Sequence, residues 1–214
     1  MLATARLEHF AVVTFDADPT VLASLLPSGV VVDLPLVSAV AYRYVRLGID
    51  GAPLPRLSGD QVHLRAYVRL GDERGVWFLR TIQDSALATL PRRVWGMPWE
   101  RGEVAIDEDA AGQVRVAAEG IDLAVIACPE GAPPPAPQVA SATVGWFLGR
   151  RGVRRFSVAF ADDAVVPGRA GCARVAAFED LGLVTAGQPP QSAFRHPDTA
   201  ITIQLPPEPA FSRR

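Results

Sequence analysis

The chain has 214 residues, 49% of them hydrophobic, and a formal net charge of −2. That is enough apolar material for one sizeable core and too little charge bias to draw the protein to nucleic acid or an anionic membrane. No apolar run reaches the roughly 18 residues of a membrane span, and the opening Met1-Leu2-Ala3-Thr4-Ala5-Arg6 carries no signal-peptide block, so a single cytoplasmic domain spanning 1–214 is expected.

Residues 7–15 read as a first strand. Asp18 then suits a helix N-cap and Pro19 the first helical position, with Leu22, Leu25 and Leu26 as an apolar stripe. Val30–Asp33 is a short β-branched segment and 36–46 a longer strand; three Gly and two Pro predict a loop over Gly48–Gly59. Residues 61–70 alternate cleanly, with Val62, Leu64, Ala66, Val68 and Leu70 on one face and Gln61, His63, Arg65, Tyr67 and Arg69 on the other. A hairpin at 71–75 leads into a return strand over 76–82. Asp84 can cap a helix through Ala86, Leu87 and Leu90 that Pro91 should kink or end. The turn Trp95-Gly96-Met97-Pro98-Trp99-Glu100 follows, then two strands in 103–108 and 113–120. Pro129–Pro137 reads as a surface loop, Ser141 as the cap of a short helix through Trp146–Leu148, 154–160 as a strand, Pro167-Gly168 as a turn before another strand, and 200–205 as a closing strand. Strands at about ten-residue spacing with a few short helices indicate an α+β, mainly β domain built as a barrel or curled sheet.

All 21 basic side chains are arginine. Lysine is absent, which closes lysine Schiff-base chemistry. Cys128 and Cys172 read as small semi-buried apolar residues rather than a disulfide framework. His9, His63 and His196 lack metal-ligand spacing, so neither a metal nor a cofactor is expected.

The order strand 61–68, hairpin, strand 76–82, helix 84–100, strand resembles the acetoacetate-decarboxylase-like superfamily. The likeness is greater to its uncharacterised bacterial DUF2071 or YqjF-like branch. Arg65-Ala66-Tyr67-Val68, Phe147-Leu148-Gly149-Arg150-Arg151 and Arg195-His196-Pro197 before Ile201-Thr202-Ile203 are similar to motifs of that branch. The resemblance implies a cone-like antiparallel β-barrel with a few short peripheral helices, an interior pocket and a homo-oligomer. It also implies that Trp99, with Glu100 beside it, occupies the position of the decarboxylases' Schiff-base lysine, so that the fold carries over and the mechanism does not.

The polar face of 61–69 is turned either to solvent or to a barrel lumen, and alternation alone does not choose. The resemblance favours the lumen, with the apolar row packed under helices. Arg65 would then bind a ligand carboxylate, and would need Glu100 or Glu103 as partner. His63 is a proton carrier or a hydrogen-bonded wall residue. Gln61 and Trp99 would line the ligand site, Trp95 and Trp99 being wall and core residues first, and Arg92 with Arg93 would bind an anion or favour a helix dipole. The expected function is binding of a small organic acid or carbonyl compound in the interior pocket. Any turnover would be acid–base chemistry through His63, Glu100 or Tyr67. The alternative is a non-catalytic binding or interaction domain whose barrel is filled by its own side chains.

Overall fold

A computed structural model of the chain describes residues 1–51, 56–85, 89–128, 139, 142–162 and 164–210. In chain order these form β1 (Leu2–Asp16), α1 (Pro19–Ser24), β2 (Val30–Ile49), β3 (Leu57–Leu70), β4 (Glu73–Gln83), α2 (Thr89–Trp95), β5 (Trp99–Arg101), β6 (Val104–Glu108), β7 (Gln113–Ala118) and β8 (Ile121–Ala127). The second half adds β9 (Val144–Gly149), β10 (Gly152–Phe160), β11 (Val166–Val175), α3 (Ala176–Asp180), β12 (Ser192–His196), β13 (Thr199–Gln204) and β14 (Glu208–Pro209).

β1 belongs to two structures at once. Its first half, Leu2–Leu7, pairs with β13, closing the path β13-β10-β9-β4-β3-β2-β1 into a seven-stranded barrel. Its second half, Phe10–Thr14, pairs with β12 and leads into β12-β11-β8-β7-β6. The ladders are antiparallel except where β4 meets β5 and β9, which run parallel to it. Gly75 permits the β4–β9 junction, since a Cβ there would collide with the Val144 carbonyl and, at 2.6 Å, the Trp146 ring.

Two buried clusters result. Val62, Leu64, Ala66 and Val68 of β3 join Ala11 and Val13 of β1 in packing with Ile106, Val114, Val116, Leu123 and Val125 of β6–β8 and with Phe178 of α3. The apolar row is therefore covered mainly by a second sheet layer, not by helices as the sequence suggests. The other cluster lies in the barrel lumen and includes Leu7, Phe10, Val40, Tyr67, Phe78, Phe147 and Phe156.

Three single-residue irregularities decide which side chains enter that lumen. Along β1, Ala5 and Leu7 face inward before His9, and Phe10 and Val12 after it. The parity changes because the pairing with β2 shifts between Glu8 and Ala11, with His9 at φ 53°. β2 behaves alike: Tyr42 and Tyr44 face inward, then Leu47, across a shift that includes Arg46 at φ 58°. In β4 the pairing with β3 skips Leu79, so Val76 and Phe78 share the lumen side with Gln83. A bulge supplies one extra residue and thereby exchanges the two faces.

Several local expectations change. The segments 30–33 and 36–46 are one strand, β2, and strand structure extends into the predicted 48–59 loop from both ends; residues 52–55 lie outside the described set. Pro91 sits in the first turn of α2, where its missing N–H is not needed, so the helix continues to Trp95. Trp146–Leu148 is strand, not helix, because β9 must bridge β4 and β10. Pro167 and Gly168 pair within β11 instead of turning before it. The loop expected over 129–137 and the Ser141 cap fall outside the described residues. Cys172 is exposed, not semi-buried. Among the described residues no helix is long and apolar enough to cross a membrane.

The Asp18 cap is present: its Oδ1 accepts from the N–H of Thr20 at 2.8 Å and of Val21 at 3.1 Å. Asp18→Ala should cost about 1 kcal/mol in denaturant unfolding. Asp60 ties the layers together. Buried on β3, it accepts two hydrogen bonds from Arg43 at 2.7 and 2.8 Å and one from the Ile106 N–H of β6 at 3.1 Å. Asp60→Ala leaves that N–H unpaired and is expected to cost about 2 kcal/mol by the same measurement. An unchanged unfolding midpoint would show that β6 does not depend on this carboxylate.

Candidate functional site

The lumen is not filled. Between its side chains lies a cavity of about 240 Å³ whose wall is chiefly apolar, including Leu7, Phe10, Val40, Phe78, Trp95, Trp99 and Phe156. For scale, a dry apolar cavity of about 150 Å³ accepts a benzene ring. The polar groups on the wall include Tyr42 from β2, Gln61, His63 and Arg65 from β3, and Gln83 from β4. The alternation along β3 delivers Gln61, His63 and Arg65 to one side because every second residue points the same way.

His63 is held from both ring nitrogens. The Gln61 amide nitrogen lies 2.8 Å and the Tyr42 hydroxyl 2.6 Å from Nε2, and Thr81 Oγ1 lies 2.8 Å from Nδ1. The amide nitrogen can only donate, so Nε2 accepts and Nδ1–H donates to Thr81. Burial, and secondarily the charge of Arg65, push the imidazole down to about 3. His63 is thus neutral at pH 7. Burial likewise holds the Tyr42 hydroxyl protonated far above its usual range.

Arg65 lies further along the same strand face. Its Nε donates to Ser38 Oγ at 3.0 Å, and Nη2 reaches Tyr67 Oη and the Val139 carbonyl, both at 3.4 Å. Tyr67 in turn donates to Ser38 at 3.0 Å. Among the described residues no carboxylate pairs with Arg65, contrary to the expected Glu100 or Glu103. Glu100 is instead bound by Arg80 at 2.9 Å, and Glu103 is exposed. Both follow from β5 running as a short parallel strand beside β4, with Glu100 opposite Ile82 of the outward-packed face.

Of the seven residues singled out from sequence, the structure brings Gln61, His63, Arg65 and Trp99 to the cavity wall. Trp99 carries a buried indole N–H without an acceptor among the described residues. Tyr67 is buried on the lumen side behind Arg65, Glu100 lies outside the wall, and Arg92 is exposed in the last turn of α2. His63, Glu100 and Tyr67 are therefore not assembled around one point. Sequence reading missed Tyr42 and Gln83. Tyr42 was within reach, since it alternates with Val40 and Tyr44; Gln83 was not, because the irregularity at Leu79 reverses its side. Among the described residues no group of His, Cys, Asp and Glu is placed to hold a metal ion.

Comparison with known proteins adds the following. Acetoacetate decarboxylase from Legionella pneumophila superimposes with a TM-score of 0.70 at 12% identity, over 97% of this chain and 86% of that one. The enduracididine biosynthesis enzyme MppR in complex with pyruvate gives 0.68 at 15% identity, over 94% and 86%. An acetoacetate decarboxylase-like enzyme from Sphingomonas wittichii gives 0.65 at 13% identity, over 94% and 89%. At these identities the likeness is one of fold. No curated protein matches. Residues 4–157 match the model of DUF2071, described as an uncharacterized conserved protein. The chain belongs to the DUF2071 family, built on the acetoacetate-decarboxylase-like fold.

Proposed function

We propose that the barrel binds a small, largely apolar organic acid or carbonyl compound and holds it without forming a covalent adduct. The observation that carries this reading is Arg65: a cation on the wall of an apolar cavity with no carboxylate partner among the described residues. Its Nη1 makes no hydrogen bond to a described residue and Nη2 makes only two long ones, at 3.4 Å, so a ligand carboxylate that displaces one of these can take both terminal nitrogens in the planar fork that guanidinium offers. The MppR–pyruvate complex supports the ligand class by analogy of fold.

Binding is favoured over turnover by the state of His63. A neutral imidazole engaged at both nitrogens is a hydrogen-bonding wall group, and it has no proton to give at pH 7 beyond the one held by Thr81. The chain has no lysine, and Trp99 presents no nucleophile to the cavity. Incubation with acetoacetate and borohydride should therefore leave no adduct on any side chain by mass spectrometry, with decarboxylation at background. An internal adduct sinks the non-covalent reading. A thermal-shift screen of small monocarboxylates tests binding itself, because a ligand specific to the native state raises the apparent midpoint. No shift with any acid at millimolar concentration, or equal shifts in Arg65→Ala, would remove the proposal.

A further inference from the structure

The cavity has a second polar station that neither the fold nor the acid-binding reading uses. Gln83 is 3% exposed and lines the cavity, yet its carboxamide makes no hydrogen bond to any described residue. The polar side chains beside it on the wall are engaged: Gln61 with His63, and His63 with Thr81 and Tyr42. A carboxamide on a cavity wall with no partner among the described residues is open to a water or a ligand in the cavity that can satisfy it. Gln83 lies directly across from Gln61 in the β3–β4 ladder, and both residues line the cavity.

Position and charge then define what Gln83 can read. Gln61 and Arg65 are four residues apart on one strand, roughly 13 Å at about 3.3 Å per residue. The two stations thus address opposite ends of one elongated molecule. The cavity volume suits on the order of ten heavy atoms, scaled from a benzene-sized void. Among the described wall residues Arg65 is the only charged side chain, since His63 is neutral and no Asp or Glu takes part. A charged group at the Gln83 end would be buried without a counter-ion. The group there must be neutral, and it must both donate and accept to satisfy a carboxamide.

We propose that Gln83 is a specificity-determining residue that hydrogen-bonds a terminal carboxamide on the ligand, so that the ligand class is an ω-carbamoyl carboxylic acid. The proposal rests on the acid-binding reading for the Arg65 end only. The irregularity at Leu79 supports it: without that extra residue Gln83 would point into the apolar layer between the sheets.

The test compares adipamate with its apolar isostere, the branched acid bearing isopropyl in place of the carboxamide, on wild type and Gln83→Leu by calorimetric titration. Gln83→Leu should weaken adipamate about tenfold while leaving the isostere as tight or tighter, a reversal of preference expected from leaving one polar partner unmatched. Arg65→Ala should weaken both acids alike. The neutral probe valeramide separates the two ideas, because its thermal shift should depend on Gln83 and not on Arg65. If both acids bind through Arg65 but their affinity ratio is the same in wild type and Gln83→Leu, the Gln83 assignment is wrong and acid binding stands. If neither acid binds while valeramide still loses its shift in Gln83→Leu, acid binding falls and the amide station stands. Gln83→Leu should fold with an unfolding midpoint at or above that of wild type; a lower midpoint would mean that the carboxamide already has a partner in the protein and would overturn the proposal.

Discussion

The His63→Gln variant is expected to keep most of its stability on acidification from pH 7 to pH 4, where the wild-type protein loses about 3 kcal/mol more. In the unfolded chain His63 titrates near 6.5, whereas burial holds it near 3 in the fold. Between those values the unfolded state binds one proton more than the native state. Stability is therefore greatest above the unfolded value, begins to fall as the pH drops through 6.5, and continues to fall until about 3. The slope is about 1.4 kcal/mol per pH unit for a single proton. Glutamine is chosen because it can still hydrogen-bond Tyr42 or Thr81 while carrying no titrating group. Glu108 also loses stabilisation in acid, since the hydrogen bonds from Arg195, ahead of that from His9, hold its carboxyl down to about 2. That contribution disappears as the pH falls from about 4.5 toward 2 and is common to both proteins, so the difference between them isolates His63. Urea unfolding of both proteins at pH 7 and pH 4 is the measurement. Parallel losses would show that His63 is solvated in the native state and does not form the neutral wall described above.

Arg65→Ala should weaken binding of any carboxylate found in the screen by about a hundredfold, and Arg65→Lys by about tenfold. The asymmetry follows from geometry: an ammonium keeps the charge but lacks the planar fork that meets both carboxylate oxygens. The effect on folding should be smaller than the sequence suggests. If Arg65 were paired with Glu100 or Glu103, its removal would strand a buried acid. Its partners are Ser38, Tyr67 and the Val139 carbonyl, each of which loses only one weak or shared hydrogen bond. A cost of about 1 kcal/mol is expected. Calorimetric titration and unfolding of the same three proteins separate the two effects; a large fall in stability with unchanged affinity would make Arg65 a structural residue and not a ligand contact.

The legible part of the site was that written on a single uninterrupted strand. Gln61, His63 and Arg65 alternate with an unbroken apolar row, so they had to share a face, and they do. Glu100 was expected from the resemblance, beside the position of the decarboxylases' lysine, and Arg92 from its place next to Arg93 at a helix end, on either side of the Trp-Gly-Met-Pro turn. That turn carries no periodic signal from which a direction could be read. The short parallel strand it leads into pairs Glu100 with Arg80 and leaves Arg92 at the surface. The covering of the apolar row by β6–β8 was likewise unreadable, because a strand's apolar face is equally well buried by a helix or by another sheet.

By itself the sequence determined the absence of any side-chain amine, the β3–β4 hairpin with its two faces, and the Asp18 cap, each a property of residue type or of neighbours a few positions apart. Only the tertiary structure decided which face looks inward, that a cavity remains there, and that Tyr42 and Gln83 join it. The physical reason is that a period of two is symmetric between faces, and one extra residue reverses it. At His9, Arg46 and Leu79 the reversal is made by residues that carry no turn signature, because pairing with the neighbouring strands, rather than local preference, places the bulge there.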